Sequence, residues 1–250
     1  MSLAELMLPL LPGGGAVAFV GAGGKTTALF RLARELEALG RPALVTTTTH
    51  LLDPRGEGFN GRLILRADLE GPATEAPVPA PEGGLTVLAA RATPEGKIAG
   101  LHPSWIPALV KAWGLVLVEA DGSRRLPLKA PGPHEPVLPP NPALVVGLIG
   151  LDGLGRPMDG ATVHRPELFA ELTGCAPGAP ITWAHLAALV GAPQGLFKGA
   201  GGPRVLILNK ADLLRPAAAP PAGLAADLVL LCSLEAPDGA IVTLQEGARP

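Results

Sequence analysis

Ala16-Val17-Ala18-Phe19-Val20-Gly21-Ala22-Gly23-Gly24-Lys25-Thr26-Thr27 is the stretch on which the fold turns. A short, wholly apolar run meets a glycine-rich turn, and Lys-Thr-Thr then opens a segment of helical character. Strand, glycine turn and helix in that order are the context a phosphate-binding loop requires. The glycines let backbone amides approach an anion closely, and the helix adds its positive N-terminal end. The expected roles are phosphate contacts from Gly21, Ala22, Gly23, Gly24, Lys25, Thr26 and Thr27, with the Lys25 ammonium neutralising β/γ-phosphate charge. The Thr26 hydroxyl is expected on Mg2+.

Outward from this loop the chain repeats the same grammar. Apolar runs at Ala43–Thr47, Leu85–Ala89, Leu115–Glu119, Ala143–Ile149, Val205–Asn209 and Leu228–Cys232 are continuous rather than alternating. That is how strands covered on both faces read. Helical segments are expected at Lys25–Leu39, Pro103–Trp113, Arg165–Thr173 and Thr182–Val190. The fold class implied is α/β: a P-loop NTPase-like, doubly wound, mostly parallel sheet with helices on both faces. Gly71–Gly84 reads as loop, and the prolines of Pro127–Pro142 exclude a helix or a central strand. Residues 151–203 show helices and no strand and are expected to be a helical insertion within a single domain spanning 1–250.

Parallel strands deliver their following loops to one sheet edge, where ligands bind. Thr46-Thr47-Thr48-Thr49-His50 ends one strand. These threonines are either β-branched filler or hydroxyls, Thr48 among them, reaching Mg2+ or phosphate, with His50 beside them. Leu115–Val118 ends in Glu119-Ala120-Asp121, two carboxylates that point the same way on a strand. Either is a candidate Mg2+ partner. The loop beyond carries Arg124, Arg125, Lys129, His134 and Glu135. Arg124 or Arg125 is a candidate for stabilising phosphoryl charge, and His134 or Glu135 for positioning water or substrate, unless the loop is only charged surface. His164-Arg165, before Pro166, reads as a helix cap or a ligand contact.

Val205–Leu208 ends in Asn209-Lys210-Ala211-Asp212, an N-K-x-D pattern. A carboxylate at Asp212 accepts guanine N1–H and N2–H together, which adenine cannot satisfy. Lys210 is expected to cover one face of the base, Asn209 to tie this loop to its neighbours, and Ser233 to lie in the loop near guanine O6. The pattern resembles that of GTP-binding proteins. The phosphate loop departs from theirs, because Phe19 stands where the longer loop has its first glycine. This shorter G-x-x-G-K-T-T form resembles the loop of Mur-type ligases, which keeps ATP open as the nucleotide.

Bulk composition narrows the partners. The chain has 250 residues, a formal charge of -2 and 48% hydrophobic residues. Its near-balanced charge and lack of a basic block argue against nucleic acid and anionic membrane. No apolar run reaches the roughly 18 residues of a membrane span. Met1–Leu11 lacks a basic lead and is expected to be a short helix rather than a signal peptide. Cys175 and Cys232 are far apart, and the five His lack zinc spacing, so a cytoplasmic protein with reduced thiols is expected.

Read together, Val20–Thr27, Thr46–His50, Glu119–Ser123, Leu128–Pro131 with His134–Pro136, Val163–Glu167 and Asn209–Asp212 resemble the YqeC family, over most of the chain and in the same order. Arg215–Leu224, short and rich in Pro and Ala, carries that resemblance least. The resemblance implies an accessory protein for selenium-dependent molybdenum hydroxylases, with a part in selenium cofactor biosynthesis. The run into Val118-Glu119 also looks like metallochaperone GTPases. Joined to the motifs, this gives a Mg2+-dependent GTPase that assists maturation of a molybdenum hydroxylase. The alternatives are an ATP-dependent kinase or ligase-like enzyme for a small molecule gripped by His134, Arg124 and His164, or a nucleotide-gated binding module with negligible turnover.

Overall fold

The computed structural model describes residues 1–11, 13–56, 59–75, 77–214, 219–236 and 240–246. The strands in chain order are β1 (Gly15–Gly21), β2 (Leu44–Thr47), β3 (His50–Leu52), β4 (Arg62–Leu65), β5 (Thr86–Ala89), β6 (Arg91–Ala92), β7 (Lys97–Ala99) and β8 (Leu115–Glu119). They continue with β9 (Leu128–Lys129), β10 (Leu144–Gly150), β11 (Val163–His164), β12 (Arg204–Asn209), β13 (Leu228–Cys232) and β14 (Ile241–Glu246). The α-helices are α1 (Leu3–Met7), α2 (Lys25–Ala38), α3 (Ile106–Trp113), α4 (Pro166–Thr173) and α5 (Trp183–Gly191). No helix among the described residues is long and apolar enough to cross a membrane.

Nine strands form one sheet in the order β14-β13-β12-β10-β1-β8-β2-β5-β4. All its neighbours run parallel except β13 and β14. β1 is the middle strand, with β8 on one side and β10 on the other, and the chain builds one half-sheet before crossing to the other. Such a switch point opens a crevice at the strands' carboxyl ends. The register aligns what gathers there: Phe19 and Thr47 both stand opposite Glu119, Gly21 opposite Leu148, and Asn209 opposite both Gly150 and Cys232.

Alternate residues of each central strand enter opposite cores, so these strands read as unbroken apolar runs. Val17 and Phe19 pack with Leu29, Leu32 and Leu36 of α2 and with Leu3 and Met7 of α1. On the other face Ala18 and Val20 meet Phe169 of α4 and Leu186 and Leu189 of α5, while Val116 and Val118 meet Ile106 and Leu109 of α3. Among the buried positions of α2, Ala28, Leu29, Leu32, Ala33 and Leu36 trace the 3.6-residue stripe of a helix lying on a sheet. α1 begins at a capping box made by Ser2 and Glu5, and a 3-10 turn, Leu8–Leu10, follows it.

Several expectations need correction. The segment from Pro103 starts as a 3-10 turn, Pro103–Trp105, and becomes α-helix only at Ile106; the His102 ring accepts from Ser104 N–H at its start. The edge strands β4 and β14 were not anticipated. The first is exposed at both ends and half-buried between, and the second alternates half-buried and exposed positions, because an edge strand lacks the double cover that marks the central ones. Residues 151–203 connect the neighbouring parallel strands β10 and β12 and carry α4 and α5. They also contain β11, whose two residues pair with β9 and are too short to leave a periodic signal. Within Arg215–Leu224, residues 215–218 lie outside the described residues.

Candidate functional site

β1 hands over to α2 through Gly21–Gly24, where Gly21, Gly23 and Gly24 have φ of 90, 81 and 124°. A Cβ on Gly23 would run into the backbone of Gly150, and one on Gly24 into the Asn209 amide. The glycines are therefore required twice, for their dihedrals and for the closeness of neighbouring strand ends. Ala22 N–H donates to Leu148 O at 3.0 Å and Gly21 N–H to Asp121 Oδ2 at 3.0 Å. Lys25 is buried and folded back over the loop. Its Nζ donates to Gly21 O at 2.7 Å and lies 3.2 Å from Asp121 Oδ1. That oxygen accepts no hydrogen bond, so Lys25 meets it as a charge off the donor axis.

The Thr26 hydroxyl donates to Glu119 Oε2 at 2.8 Å, and Thr27 Oγ1 lies 3.4 Å from Glu235 Oε1. Burial pushes the Glu119 carboxyl above the usual carboxylate range, against the pull of Lys25 and the Thr26 hydrogen bond. The threonines of β2 are turned into the fold. Thr46 donates to Leu88 O at 2.8 Å, Thr47 to Glu119 O at 2.7 Å and Thr48 to Val137 O at 2.6 Å. These hydroxyls stitch the end of β2 to adjacent segments, and Thr48 spends its proton on a carbonyl. His50 is exposed at the start of β3, in the separate β3-β7-β6 sheet.

From Asp121 a chain of ion pairs runs away from the glycine loop. Lys129 is completely buried, and its ammonium has three acceptors: Asp121 Oδ2 at 2.9 Å, Glu135 Oε2 at 2.6 Å and Gly122 O at 2.6 Å. Three donors with three acceptors is how a lysine is tolerated without water. Lys129, expected among ligand contacts, therefore faces protein atoms. Arg165, at φ 66° just before α4, places Nη1 2.6 Å from Glu135 Oε2 and 3.3 Å from Ala130 O. Burial pushes the Glu135 carboxyl up, but hydrogen bonds from Arg165 and Lys129 outweigh it and hold the pKa at about 2. Burial lowers the His164 pKa, and the nearby cations Arg165, Lys129 and Arg124 lower it further. Arg124 and His134 are exposed on the surrounding loop.

Because the folded pKa of Glu135 lies below its ordinary 4.5, its contribution to stability is fully present above about pH 4.5. It is lost as pH falls toward 2. Glu135→Gln is expected to lower unfolding free energy by about 2 kcal/mol at pH 7, with a gap to the parent that closes over that acid window. Urea titrations of both proteins at several pH values measure it. A gap that is constant with pH would show that Glu135 is not held ionised by this network.

On the other side of β1, the Asn209 side chain joins two loops. Its Nδ2 donates to Gly23 O at 2.8 Å, and its Oδ1 accepts Leu234 N–H at 2.9 Å. Lys210, at φ 66°, pairs with Asp152 Oδ2 at 2.6 Å, and Asp212 N–H donates to Ser233 Oγ at 2.9 Å. A cavity of about 410 Å³ is lined by Asn209, Lys210, Asp212, Leu213, Ser233 and Leu234, with the Asp212 side chain exposed at it. The Asp152 partnership was not foreseen: a lone aspartate after a strand carries no motif. Among the described residues no three His, Cys, Asp or Glu side chains gather as a metal cage, and both cysteines are buried and free.

The molecule is thus an α/β protein whose mostly parallel nine-stranded sheet brings a glycine loop, two buried carboxylates and an Asn-Lys-Ala-Asp turn to one edge. The chain belongs to the YqeC family. The family model described as YqeC protein matches residues 17–167. The Uncharacterized protein YqeC of Escherichia coli (strain K12) is 38% identical over 203 residues, covering 78% of this chain and 75% of that protein. No solved structure matches the chain. The family match takes in the glycine loop, the acidic strand end and the Lys129–Glu135–Arg165 chain, and it ends before Asn209.

Proposed function

We propose that this protein is a P-loop NTPase that binds GTP with Mg2+ and hydrolyses it in the cytoplasm while assisting maturation of a molybdenum hydroxylase. The observation that carries the nucleotide reading is the double tie made by Asn209. One side chain holds the glycine loop and the Ser233–Leu234 loop in fixed relation. A ligand with phosphates at one end and a base at the other needs just these two loops held together. The maturation role rests on the family resemblance.

The oxygen donors fit Mg2+. Thr26 Oγ1 and Glu119 Oε2 lie 2.8 Å apart on facing elements, and a hydroxyl with one carboxylate is a usual protein share of a Mg2+–phosphate site. When bound, the ion neutralises and orients the phosphate oxygens. Asp121 fits this role less well, because Lys25, Lys129 and Gly21 N–H already surround its carboxylate. It acts as the anchor of the glycine loop. Lys25 is within reach of phosphate once it leaves Gly21 O, and the exposed Arg124 is free to add charge from the loop beyond.

Asp212→Asn tests the choice of base. Asparagine offers one donor and one acceptor, which matches the N1–H and 2-oxo edge of xanthine and mismatches guanine. The variant is expected to bind GTP about one to two decades more weakly than the parent and to prefer XTP, with ATP poor throughout. Competition binding with the three nucleotides decides it. A parent that prefers ATP would make Asn209–Asp212 a loop brace and favour the kinase- or ligase-like reading.

A further inference from the structure

A second cavity, of about 610 Å³, opens on the outer side of α2. Its walls include Phe30 and Arg34 from α2, Leu52, Arg55 and Phe59 from the segment after β2, and Thr26. Thr26 is the residue whose hydroxyl meets Glu119, so the cavity abuts the phosphate loop. It lies on the β2 side of β1, whereas the Asn209–Ser233 cavity belongs to β12 and β13 on the opposite side. Thr26 lines this cavity and is absent from the walls of the other, so the two cavities have separate walls.

The chemistry of the walls selects an occupant. The Phe30 and Phe59 rings meet edge to face, with centroids 6.3 Å apart and planes at 71°. Leu52 leaves 45% of its surface exposed, an apolar wall open to solvent. Arg34 lies with Cζ 6.0 Å from the Phe30 centroid, and among the described residues it has no carboxylate partner. Arg55 and Asp53 satisfy each other through 2.6 and 3.0 Å contacts, so Asp53 has little acceptor capacity left for a cationic ligand. Among the described lining residues two arginines stand against one aspartate. Aromatic and apolar walls with one uncommitted guanidinium suit a flat ring bearing an anionic group. The volume is that of an ordinary small-molecule site.

We propose that this cavity is a second ligand site, for a planar aromatic molecule carrying a phosphate or carboxylate, with Arg34 on the anion and Phe30, Leu52 and Phe59 on the ring. Its place beside the phosphates rests on the nucleotide reading; its binding chemistry does not. Flavin mononucleotide is the probe, and riboflavin, the same ring without the phosphate, is its control. Fluorescence titration of the full chain is run with and without saturating GTP and Mg2+. Flavin mononucleotide should bind under both conditions, at least about tenfold more tightly than riboflavin. Arg34→Gln should erase that difference without moving the melting temperature, because Arg34 is exposed, and Phe59→Ala should weaken both flavins. Absence of flavin binding, equal affinity for the two flavins, or indifference to Arg34→Gln would overturn the proposal. So would competition by GTP together with loss of flavin binding in Lys25→Ala, which would place the probe on the glycine loop. If GTP fails to bind while the Arg34-dependent preference persists, the nucleotide reading falls and the second site stands.

Discussion

Lys129→Met is expected to lower the unfolding free energy by about 3 kcal/mol, the largest stability loss of any single change at the site. The side chain it removes is wholly buried, with its ammonium on Asp121, Glu135 and the Gly122 carbonyl. The ion pairs join Lys25, Lys129 and Arg165 to two carboxylates, Asp121 and Glu135, and Lys129 is the cation that both carboxylates share. Its removal therefore weakens both at once. Asp121 keeps Gly21 N–H and Lys25, and Glu135 keeps Arg165, which holds the loss to the low end for a broken buried pair. Urea unfolding measures it from the midpoint shift at unchanged slope. A loss below about 1 kcal/mol would mean that water enters and takes over the role of the ammonium.

Lys25→Ala should do the opposite: little to the fold and much to nucleotide binding. Asp121 retains Lys129 and Gly21 N–H in the variant, so a stability change of about 1 kcal/mol or less is expected. The phosphates lose a charge-assisted donor in a water-poor loop, and affinity for GTP with Mg2+ should fall roughly a hundredfold. Calorimetric titration beside a melting curve separates the two effects. Unchanged affinity in a folded variant would remove the glycine loop from nucleotide binding.

What was legible in the sequence was what depends on local pattern. β8 and β13 have the bounds that their apolar runs announce, and α2 starts at Lys25. The glycine loop, the carboxylates after β8 and the Asn209 turn were visible as motifs because backbone geometry and chemistry fix their spacing. The rest depended on which strand lies beside which. Glu119 and Asp121 looked equivalent, and only the approach of Lys25 and Lys129 separates the one facing Thr26 from the one bound up in ion pairs. Lys129 stood among the candidate ligand contacts of a proline-rich loop, since nothing local announces its burial. Phe30, Arg34, Leu52 and Phe59 drew no attention because they come from segments far apart in sequence that meet only beside α2.

The central place of β1 has a consequence during synthesis. The ribosome completes every strand of one half-sheet, through Glu119, before it makes Leu144–Gly150. Through that interval the half already made presents the Val17–Gly21 edge of β1 with its amides and carbonyls unmatched, flat, apolar and in the middle of the future sheet. An open edge of that kind templates pairing with any other nascent chain. A product that terminates shortly before Leu144 would keep that edge permanently, so it should aggregate; one that ends after β12 covers the β1 edge but leaves open the β12 edge that β13 pairs.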